Sequence, residues 1–462
     1  MGERPPCTRK VAGSSPAIST FLTPFPKMES KSLPSLVEIM DEKEIKKFLK
    51  ELEVLCRDFF SLIQRLKNSE INREICFFLQ KKSEEIEVFL DDYGAINNKR
   101  FFYFRELIAS VRWINIALFQ SLHIIGRFRN YELDFPEEYK ASFLQEVRKN
   151  CEFYLSCLRK LGEELIKEGE KIGIKSKIRR KIQLDSLEII PKKILPPDLD
   201  EKVLKSKKGR VVEILMKFLE ILEKFTIYVC DLKSNQEITE EDLETFRSSF
   251  NRLQSLYDSY LKNTDIERKI EDLKKIRGHI SVTLHLLEIG KALAHFYERH
   301  TTKIRKYSTA IKISLLINPS KIKSNLKKFV IPNAFNFAQR GKKVSERIFK
   351  FLKTDPDEYI IETKPLIIPS HRIEDFHIRP IIPVTQVANK YKAETFLYFN
   401  RKRYNMKSAI EMAIAIPDIR EFLKKENTRI ILQGPKKAVE EISSFLHDKC
   451  GAYKDEKIYE IA

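Results

Sequence analysis

Apolar residues recur at intervals of three and four positions from about Asp41 to Leu352, and no other feature limits the fold of the chain as strongly. Such spacing places apolar side chains on one face of an α-helix. One such stripe consists of Leu49, Leu52, Leu55, Phe59 and Leu62. Glycine is sparse, with 13 residues in a chain of 462, which argues against a fold of strands and turns. We therefore predict a large all-α region over this stretch.

Interruptions of the periodicity divide the helical region into two units. Prolines and a run of basic residues lie between Gly173 and Arg210, and this composition is typical of a linker. We predict a helical bundle over residues 41–172, a basic linker over residues 173–210 and a second helical bundle over residues 211–354.

The two predicted bundles share short sequence matches. The sequence Leu-Glu-Val-Leu that begins at Leu52 resembles the Leu-Glu-Ile-Leu that begins at Leu219. His123-x3-Arg127 matches His295-x3-Arg299 at nearly the same offset along the chain. Two interpretations stay open, because a duplicated unit and the periodicity common to all helical bundles both produce such matches.

The pattern changes after Asp355, where short apolar runs alternate with helical segments. Thr395 to Phe399 is rich in β-forming residues, and Asn400-Arg401 fits a turn that leads into a second strand. The order of elements is strand, helix, strand, strand, helix, strand, helix. Helices gathered on one face of an antiparallel sheet form an α+β sandwich, and we predict such a domain over residues 355–462.

A histidine at the start of the first helix of this domain carries the clearest chemical signal. The residues are Phe376-His377-Ile378-Arg379-Pro380. Free backbone amides at a helix start, together with the helix dipole, favour an anion there. Pro380 is compatible with a first helical turn, and the guanidinium of Arg379 can bind phosphate oxygens. A neutral imidazole is a competent nucleophile toward a phosphoryl donor, so this segment suits a transient phosphohistidine.

The His-x-Arg-Pro sequence resembles the active site of HPr, the histidine phosphocarrier of the bacterial sugar phosphotransferase system. A second landmark agrees: Met406-Lys407-Ser408 resembles the regulatory serine site of that family, and Ser408 follows His377 by 31 residues, as in the family. The resemblance implies an open-faced sandwich with a four-stranded antiparallel sheet and three helices. It also implies that His377 accepts the phosphoryl group and that Arg379 stabilises its charge.

The same resemblance implies partners. Enzyme I, charged by phosphoenolpyruvate, would phosphorylate His377. The phosphoryl group would then pass to a downstream protein acceptor that the sequence does not identify, or its presence would switch the helical region. HPr kinase would modify Ser408, for which a plain helix N-cap is the alternative role. We expect no cofactor.

Several residues depart from the family pattern. Asp375 replaces a glycine two positions before the histidine and stands next to Glu374, and Ile378 replaces a small residue. Two carboxylates near His377 would repel an incoming phosphate. Pro383 removes a backbone amide one turn into the helix. An alternative function is therefore a helical interaction scaffold whose HPr-like module only docks to a partner.

The net charge of +19 permits binding to nucleic acid or to an anionic membrane. Lysines that are spread along the chain and have glutamate neighbours favour solvated helix faces instead, and nucleic-acid binding through the basic linker stays an alternative function. Seven cysteines occur without a CxxC pair, so we expect a reducing, cytoplasmic environment. No apolar run reaches the ~18 residues of a membrane span.

Two histidine–glutamate pairs on one predicted helix are candidate metal ligands. His285 with Glu288, or His295 with Glu298, would each supply two ligands to a site completed by other helices. Polar residues on a partly exposed helix face are the simpler interpretation, and we expect no metal.

The first residues differ in character from the rest of the chain. Residues 1–27 have little helical pattern and resemble the translation of a transfer-RNA gene, because Gly13-Ser14-Ser15-Pro16 is what the common T-arm sequence encodes when it is read in frame. We expect residues 1–40 to be a disordered or spurious extension and translation to start at Met28; a genuine disordered tail is the alternative.

Overall fold

The structure is a computed structural model of the whole chain. It describes residues 38–68, 71–175, 207–232, 237–302, 306–353, 361–391, 394–400 and 402–455. The expected start at Met28 and most of the predicted linker, residues 173–210, lie outside the described residues.

The chain divides into two units between Phe48 and Leu49, and the described residues of the first unit are 38–48. In the first unit, Asp41 and Glu44 form a reciprocal cap at the start of the first helix. The Asp41 carboxylate accepts a hydrogen bond from the Glu44 amide at 2.8 Å, and the Glu44 carboxylate accepts one from the Asp41 amide at 2.8 Å. This arrangement satisfies backbone donors that a helix start leaves without intrahelical partners.

The described chain from Glu42 to Phe351 is helical, as predicted. The helices are α1 (Glu42–Asn68), α2 (Arg73–Asp92), α3 (Phe102–Arg127), α4 (Glu137–Ile172), α5 (Lys207–Asp231), α6 (Glu240–Tyr260), α7 (Asp265–Lys269), α8 (Asp272–Tyr297), α9 (Tyr307–Leu316), α10 (Pro319–Asn325) and α11 (Ile331–Phe351). A π-helical turn, Glu298–Thr302, follows α8, and a second one, Leu326–Val330, precedes α11.

Side-chain caps define where several of these helices begin. The Asn72 side chain accepts a hydrogen bond from the Ile75 amide at 3.0 Å and starts α2. Thr239 does the same for α6, accepting from the Asp242 amide at 3.1 Å. Such caps stabilise a helix by about 1 kcal/mol. Asn72 and Thr239 are separated by the same offset as Leu52 and Leu219, the first residues of the matched sequences.

Helices α3 and α8 pack against each other and form the centre of the helical region. Helices α2 and α4 flank α3, while α6 and α11 flank α8. The two predicted bundles are therefore joined through one shared core. Most side chains of both central helices are buried.

Aromatic rings meet in two places where α3 faces α8. Trp113 stacks on His295 with ring centroids 3.7 Å apart, and His123 lies against His285 at 4.2 Å. Trp113 and His285 are separated by the same offset along the chain as His123 and His295. A pair of contacts that exchange under this offset is what a two-fold relation between copies would produce. The duplication itself stays a prediction.

One helical stretch, Phe102–Asn130, is long enough and, averaged over an 18-residue window, apolar enough to cross a membrane, although polar residues such as Asn115 and Gln120 interrupt its apolar run. Of its most apolar window, 56% is buried inside the structure. Because the core helix of a water-exposed domain meets the same criterion, this stretch is weak evidence for a membrane span.

The described residues between 361 and 455 form a sheet with three α-helices. The elements are β1 (Ile361–Ile368), α12 (Ile378–Lys390), β2 (Phe396–Phe399), β3 (Lys402–Asn405), α13 (Ala409–Leu423), β4 (Thr428–Pro435), α14 (Lys436–Cys450) and β5 (Tyr453–Lys454). The sheet is antiparallel, in the order β3-β2-β4-β1-β5. The predicted order of strands and helices is present.

The prediction of four strands was wrong by one, because β5 adds a fifth. Helix α14 is capped by Gly451, whose backbone adopts the left-handed conformation (φ 64°). The chain then turns back along β1. Tyr453 pairs with Ile367, and Lys454 pairs with Leu366. A strand of two residues is too short to produce a periodic signal in the sequence.

Helices α12, α13 and α14 share one apolar core with one face of the sheet. The sheet contributes the alternate residues Leu366, Ile368, Leu397, Ile430 and Leu432. The helices contribute, among others, Val384, Met412, Ile419, Val439 and Leu446. Residues at every second position of a strand point to the same face, so the remaining positions of β1 and β4 point away from these helices.

The opposite face of the sheet packs against α5, so the expected open face is not open. Ile431, on this face of β4, is only 2% exposed. The guanidinium of Arg429, two positions earlier, donates to the Cys230 carbonyl of α5 at 2.6 Å. The same guanidinium lies 2.5 Å from the Asp455 carboxylate, whose side chain is 1% exposed. The sheet is therefore held against the helical region by apolar packing and by the contacts of the Arg429 guanidinium.

A small cavity of about 110 Å³ remains between α5, α11 and β1. It is lined by Leu219, Leu222, Glu223, Thr226, Gln339, Lys342, Glu362 and Thr363. Burial raises the pKa of Glu223 to about 8, and the nearby Lys342 acts in the opposite direction. The folded protein therefore favours the neutral form of this carboxyl group.

Glu223 is expected to make the protein less stable as the pH rises. Its pKa is about 8 in the folded state against an ordinary value of 4.5. The folded state therefore holds the proton more tightly, and this contribution to the free energy of unfolding is complete below pH 4.5 and lost as the pH rises through about 8. Glu223→Gln should flatten the pH dependence of urea unfolding, whereas Glu220→Gln, at an exposed position of α5, should keep it. An unchanged pH dependence in Glu223→Gln would contradict the assignment.

Candidate functional site

His377 lies directly before α12, which begins at Ile378. A short 3₁₀ helix, Ser370–Asp375, leads from β1 to this position. The location at a helix start agrees with the sequence prediction, and the side chain is partly buried. The backbone of Arg379 belongs to the first turn of α12, but its side chain falls outside the described part of the chain. The contribution of Arg379 to phosphate binding stays a prediction.

The loop before His377 is held by an arginine of α13. The Arg420 Nη1 donates to the Ile373 carbonyl at 2.9 Å and to the Phe376 carbonyl at 3.0 Å. The Phe376 ring is 1% exposed and belongs to the core of the domain. The residue that immediately precedes His377 is therefore anchored at both its side chain and its carbonyl group, which limits the positions that the imidazole can take.

Arg420 was missed in the sequence. It is the one basic residue among those of α13, Ala409–Leu423. A single cation in a helix whose other residues are apolar or acidic is a usable signal, because a long cationic side chain there tends to bind a specific acceptor. The sequence gives no indication that the acceptors are the carbonyl groups next to His377.

The two acids before His377 each have an arginine nearby. The Asp375 carboxylate lies 2.6 Å from the Arg372 guanidinium. The Glu374 carboxylate lies 3.6 Å from Arg420 Nη2, and its side chain is 87% exposed. Opposite charges at these distances and high solvent exposure weaken the repulsion that the sequence suggested.

Ser408 is the N-cap of α13, which confirms the predicted cap. Its hydroxyl oxygen accepts a hydrogen bond from the Glu411 amide at 3.2 Å. The Glu411 carboxylate in turn accepts from the Asn405 amide at 2.7 Å. Modification of Ser408 by a kinase stays a prediction.

A cleft of about 400 Å³ separates α12 from the start of α13. It is lined by Ile382, Thr385, Gln386, Asn389, Lys390 and Ala409. Three isoleucines of these two helices are unusually exposed: Ile382 at 52%, Ile410 at 75% and Ile414 at 57%. We call Ile382, Ile410 and Ile414 the isoleucine surface. Ile382 lines the cleft, and Ile410 and Ile414 follow the cleft residue Ala409 along α13. Exposed apolar groups of this kind are candidates for contact with another protein.

The candidate metal ligands are only partly brought together. His285 Nδ1 lies 3.0 Å from Glu288 Oε2 and 3.1 Å from Gln120 Oε1. His295 Nδ1 lies 2.9 Å from Glu240 Oε2, whereas the Glu298 carboxylate accepts a hydrogen bond from the Glu240 amide. Among the described residues, no group of three or more histidine, cysteine or acidic side chains is placed to hold a metal ion.

A buried network of charges in the helical region was not predicted from the sequence. It surrounds a cleft of about 340 Å³ at α2, α3 and α8. The Arg105 guanidinium contacts Glu87 at 3.0 Å, Asp91 at 2.7 Å and Glu106 at 3.0 Å. His300 Nδ1 lies 2.8 Å from Glu106 Oε2. Because the cations are matched by carboxylates, the network joins helices and does not present an open anion site.

Comparison with family models, with curated proteins and with solved structures gives no match for this chain. The functional interpretation therefore depends on the residues around His377 and on their geometry.

Ser408→Ala is expected to lower the free energy of unfolding by about 1 kcal/mol, because it removes the side-chain acceptor of the Glu411 amide. Ser408→Asp should retain most of the stability, since aspartate is also a good N-cap. Ser444→Ala, at an exposed position inside α14, is the matched control and should change little. The free energy of unfolding of the three variants is measured by urea unfolding. If Ser408→Ala and Ser444→Ala lower it by the same amount, the cap has no energetic role.

Proposed function

We propose that the C-terminal domain is an HPr-like phosphocarrier that takes up a phosphoryl group on His377 from enzyme I charged by phosphoenolpyruvate. The group is then passed to a protein acceptor or used as a switch for the helical region. The observation that carries the proposal is the position of His377, directly before a helix of thirteen residues.

The position suits an anion on the imidazole ring. The amides of the first helical turn have no intrahelical acceptors, and the helix dipole adds partial positive charge at the same end. A nitrogen of the neutral imidazole of His377 attacks the phosphorus atom carried by phosphorylated enzyme I. A nitrogen–phosphorus bond forms, and the bond between phosphorus and enzyme I breaks. The transfer needs no redox partner or metal-bound water.

The charges of the loop support the same role. Arg420 brings a guanidinium to the carbonyl group adjacent to His377, and Arg379 follows two residues later. The carboxylates of Glu374 and Asp375 are close to arginines. Because each of the two carboxylates is matched by an arginine, they repel an incoming phosphate less, and the charge of Arg379 adds to the favourable field of the helix dipole.

The isoleucine surface supports recognition of a protein donor. It belongs to α12 and α13, the helix that follows His377 and the helix that Ser408 caps. These helices cover one face of the sheet, and α5 packs on the other. A partner that binds α12 and α13 therefore approaches the domain from the side opposite to α5.

The main alternative is a docking module without phosphoryl transfer. The isoleucine surface supports it equally, whereas the anchored loop before His377 favours the carrier. The third function, nucleic-acid binding, was based on the basic linker, which lies mostly outside the described residues.

Incubation of the full chain with phosphoenolpyruvate and enzyme I should give a label that is labile in acid and stable in base, as expected for phosphohistidine. His377→Ala should abolish the label. His371→Ala, an exposed histidine in the preceding 3₁₀ helix, is the matched control and should keep it.

The label also tests the positioning role of Arg420. Arg420→Met should slow the rate of labelling, because the loop before His377 is held less firmly. The final amount of label should equal that of the unaltered chain, because His377 itself is unchanged. Absence of label on the full chain, with enzyme I shown to be active on its own carrier, would leave the docking-module function in its place.

Ile410→Glu should weaken recognition by enzyme I, because it places a charge on the isoleucine surface. Loss of a central apolar contact raises the KM for the carrier by about tenfold, with little effect on kcat. Val88→Glu replaces another exposed apolar residue, at 52% exposure on α2, and is the matched control. Steady-state labelling rates at several concentrations of each variant separate the two constants; an unchanged KM for Ile410→Glu would exclude this surface from recognition.

A further inference from the structure

A long segment of the helical region carries no negative charge. No aspartate or glutamate occurs between Glu298 and Glu346, although lysines and arginines are frequent there. The segment contains α9, α10 and most of α11. The rest of the chain is rich in lysine–glutamate neighbours, so this stretch is the clearest departure from the mixed charge of the protein.

Helix α9, Tyr307–Leu316, presents an apolar stripe to solvent on the side opposite its packed face. The buried residues are Thr309, Ala310 and Ile313. The exposed apolar residues are Tyr307 at 80%, Ile311 at 44% and Leu315 at 80%. These three residues are spaced by four positions, which places them in one row along the helix. We call Tyr307, Ile311 and Leu315 the α9 stripe.

Positive charges lie on and after this helix. Lys306, at the N-cap of α9, and Lys312, within it, are exposed. Lys312 Nζ lies 4.5 Å from the centre of the Tyr103 ring. Lys321 and Lys328 are exposed in the elements that follow, and they line a separate cleft of about 370 Å³ together with Lys149 and one acid, Glu146. The α9 stripe is therefore an apolar row in a segment whose charge is positive throughout.

We propose that α9 docks on the surface of an anionic phospholipid bilayer, with the α9 stripe inserted among the headgroups and the neighbouring lysines bound to lipid phosphates. An apolar row combined with basic residues is the composition of helices that lie in a membrane interface. Tyrosine favours that interface because its ring is apolar and its hydroxyl is polar. The cytoplasmic leaflet supplies the matching negative charge.

The apolar row decides between lipid and nucleic acid as the occupant. Binding of a nucleic-acid backbone needs the lysines but gains nothing from Tyr307, Ile311 and Leu315 in one row. A lipid surface uses both the charge and the apolar area. The proposal is independent of phosphoryl transfer, because α9 and His377 belong to different regions of the chain.

Co-sedimentation with vesicles tests the proposal on the full chain. The protein should bind vesicles of phosphatidylcholine with phosphatidylglycerol, bind phosphatidylcholine vesicles at least about tenfold more weakly, and be released by high salt. Tyr307→Ser with Leu315→Ser should weaken binding to the anionic vesicles by about tenfold or more. Val88→Ser, an exposed apolar residue among the acids of α2, is the matched control and should bind as the unaltered chain does.

A charge variant separates the two parts of the surface. Lys306→Glu should weaken vesicle binding by about tenfold, whereas Lys262→Glu, at an exposed lysine near the end of α6, should leave it unchanged. Circular dichroism verifies that each variant is folded; if Tyr307→Ser with Leu315→Ser unfolds, the single Leu315→Ser variant replaces it. Equal binding to both kinds of vesicle, or no binding to either, overturns the proposal. The proposal is also overturned if Tyr307→Ser with Leu315→Ser binds anionic vesicles normally but loses binding to duplex DNA or loses self-association.

Discussion

The packing of α3 against α8 is the contact on which the helical region depends. Each of these two helices is flanked by two others of its own half of the chain, so the halves meet chiefly where the central helices touch. The contact is made with unusual side chains: Trp113 on His295, and His123 on His285. Burial, followed by the nearby His285 ring, lowers the pKa of His123 to about 3, and burial lowers that of His295 to about 4. The His123 and His295 rings therefore pack as neutral groups at physiological pH.

The second organising contact lies between the sheet and α5. Because of this contact, both faces of the sheet are covered. The sheet is the middle layer between α12, α13 and α14 on one side and α5 of the helical region on the other. Arg429 is important there, since its guanidinium donates a hydrogen bond to the Cys230 carbonyl and forms an ion pair with the almost fully buried Asp455 carboxylate. A buried carboxylate without such a partner is strongly destabilising.

Periodicity was sufficient to predict the helices and, in the C-terminal region, the order in which strands and helices follow one another along the chain. The cap at Ser408 followed from its residue type and position. The covered face of the sheet and the Arg420 contacts were not predicted. The run Ile430-Ile431-Leu432 in β4 is apolar without alternation, which is typical of a strand buried on both faces; the expectation of an open face overlooked it. The Arg420 contacts with Ile373 and Phe376 join residues that are far apart along the chain, and no local pattern encodes such a contact.

The covered second face of the sheet has a consequence for how the protein unfolds. If the C-terminal domain opened alone, Ile431 and the apolar side of α5 would lose their cover, and Asp455 would lose contact with the carbonyl-bound Arg429. Such exposure is costly in water. We therefore expect the domain and the helices behind it to unfold together, since they belong to one compact unit. A destabilising change in β4 should then lower the melting temperature of the helical region as well as that of the C-terminal domain.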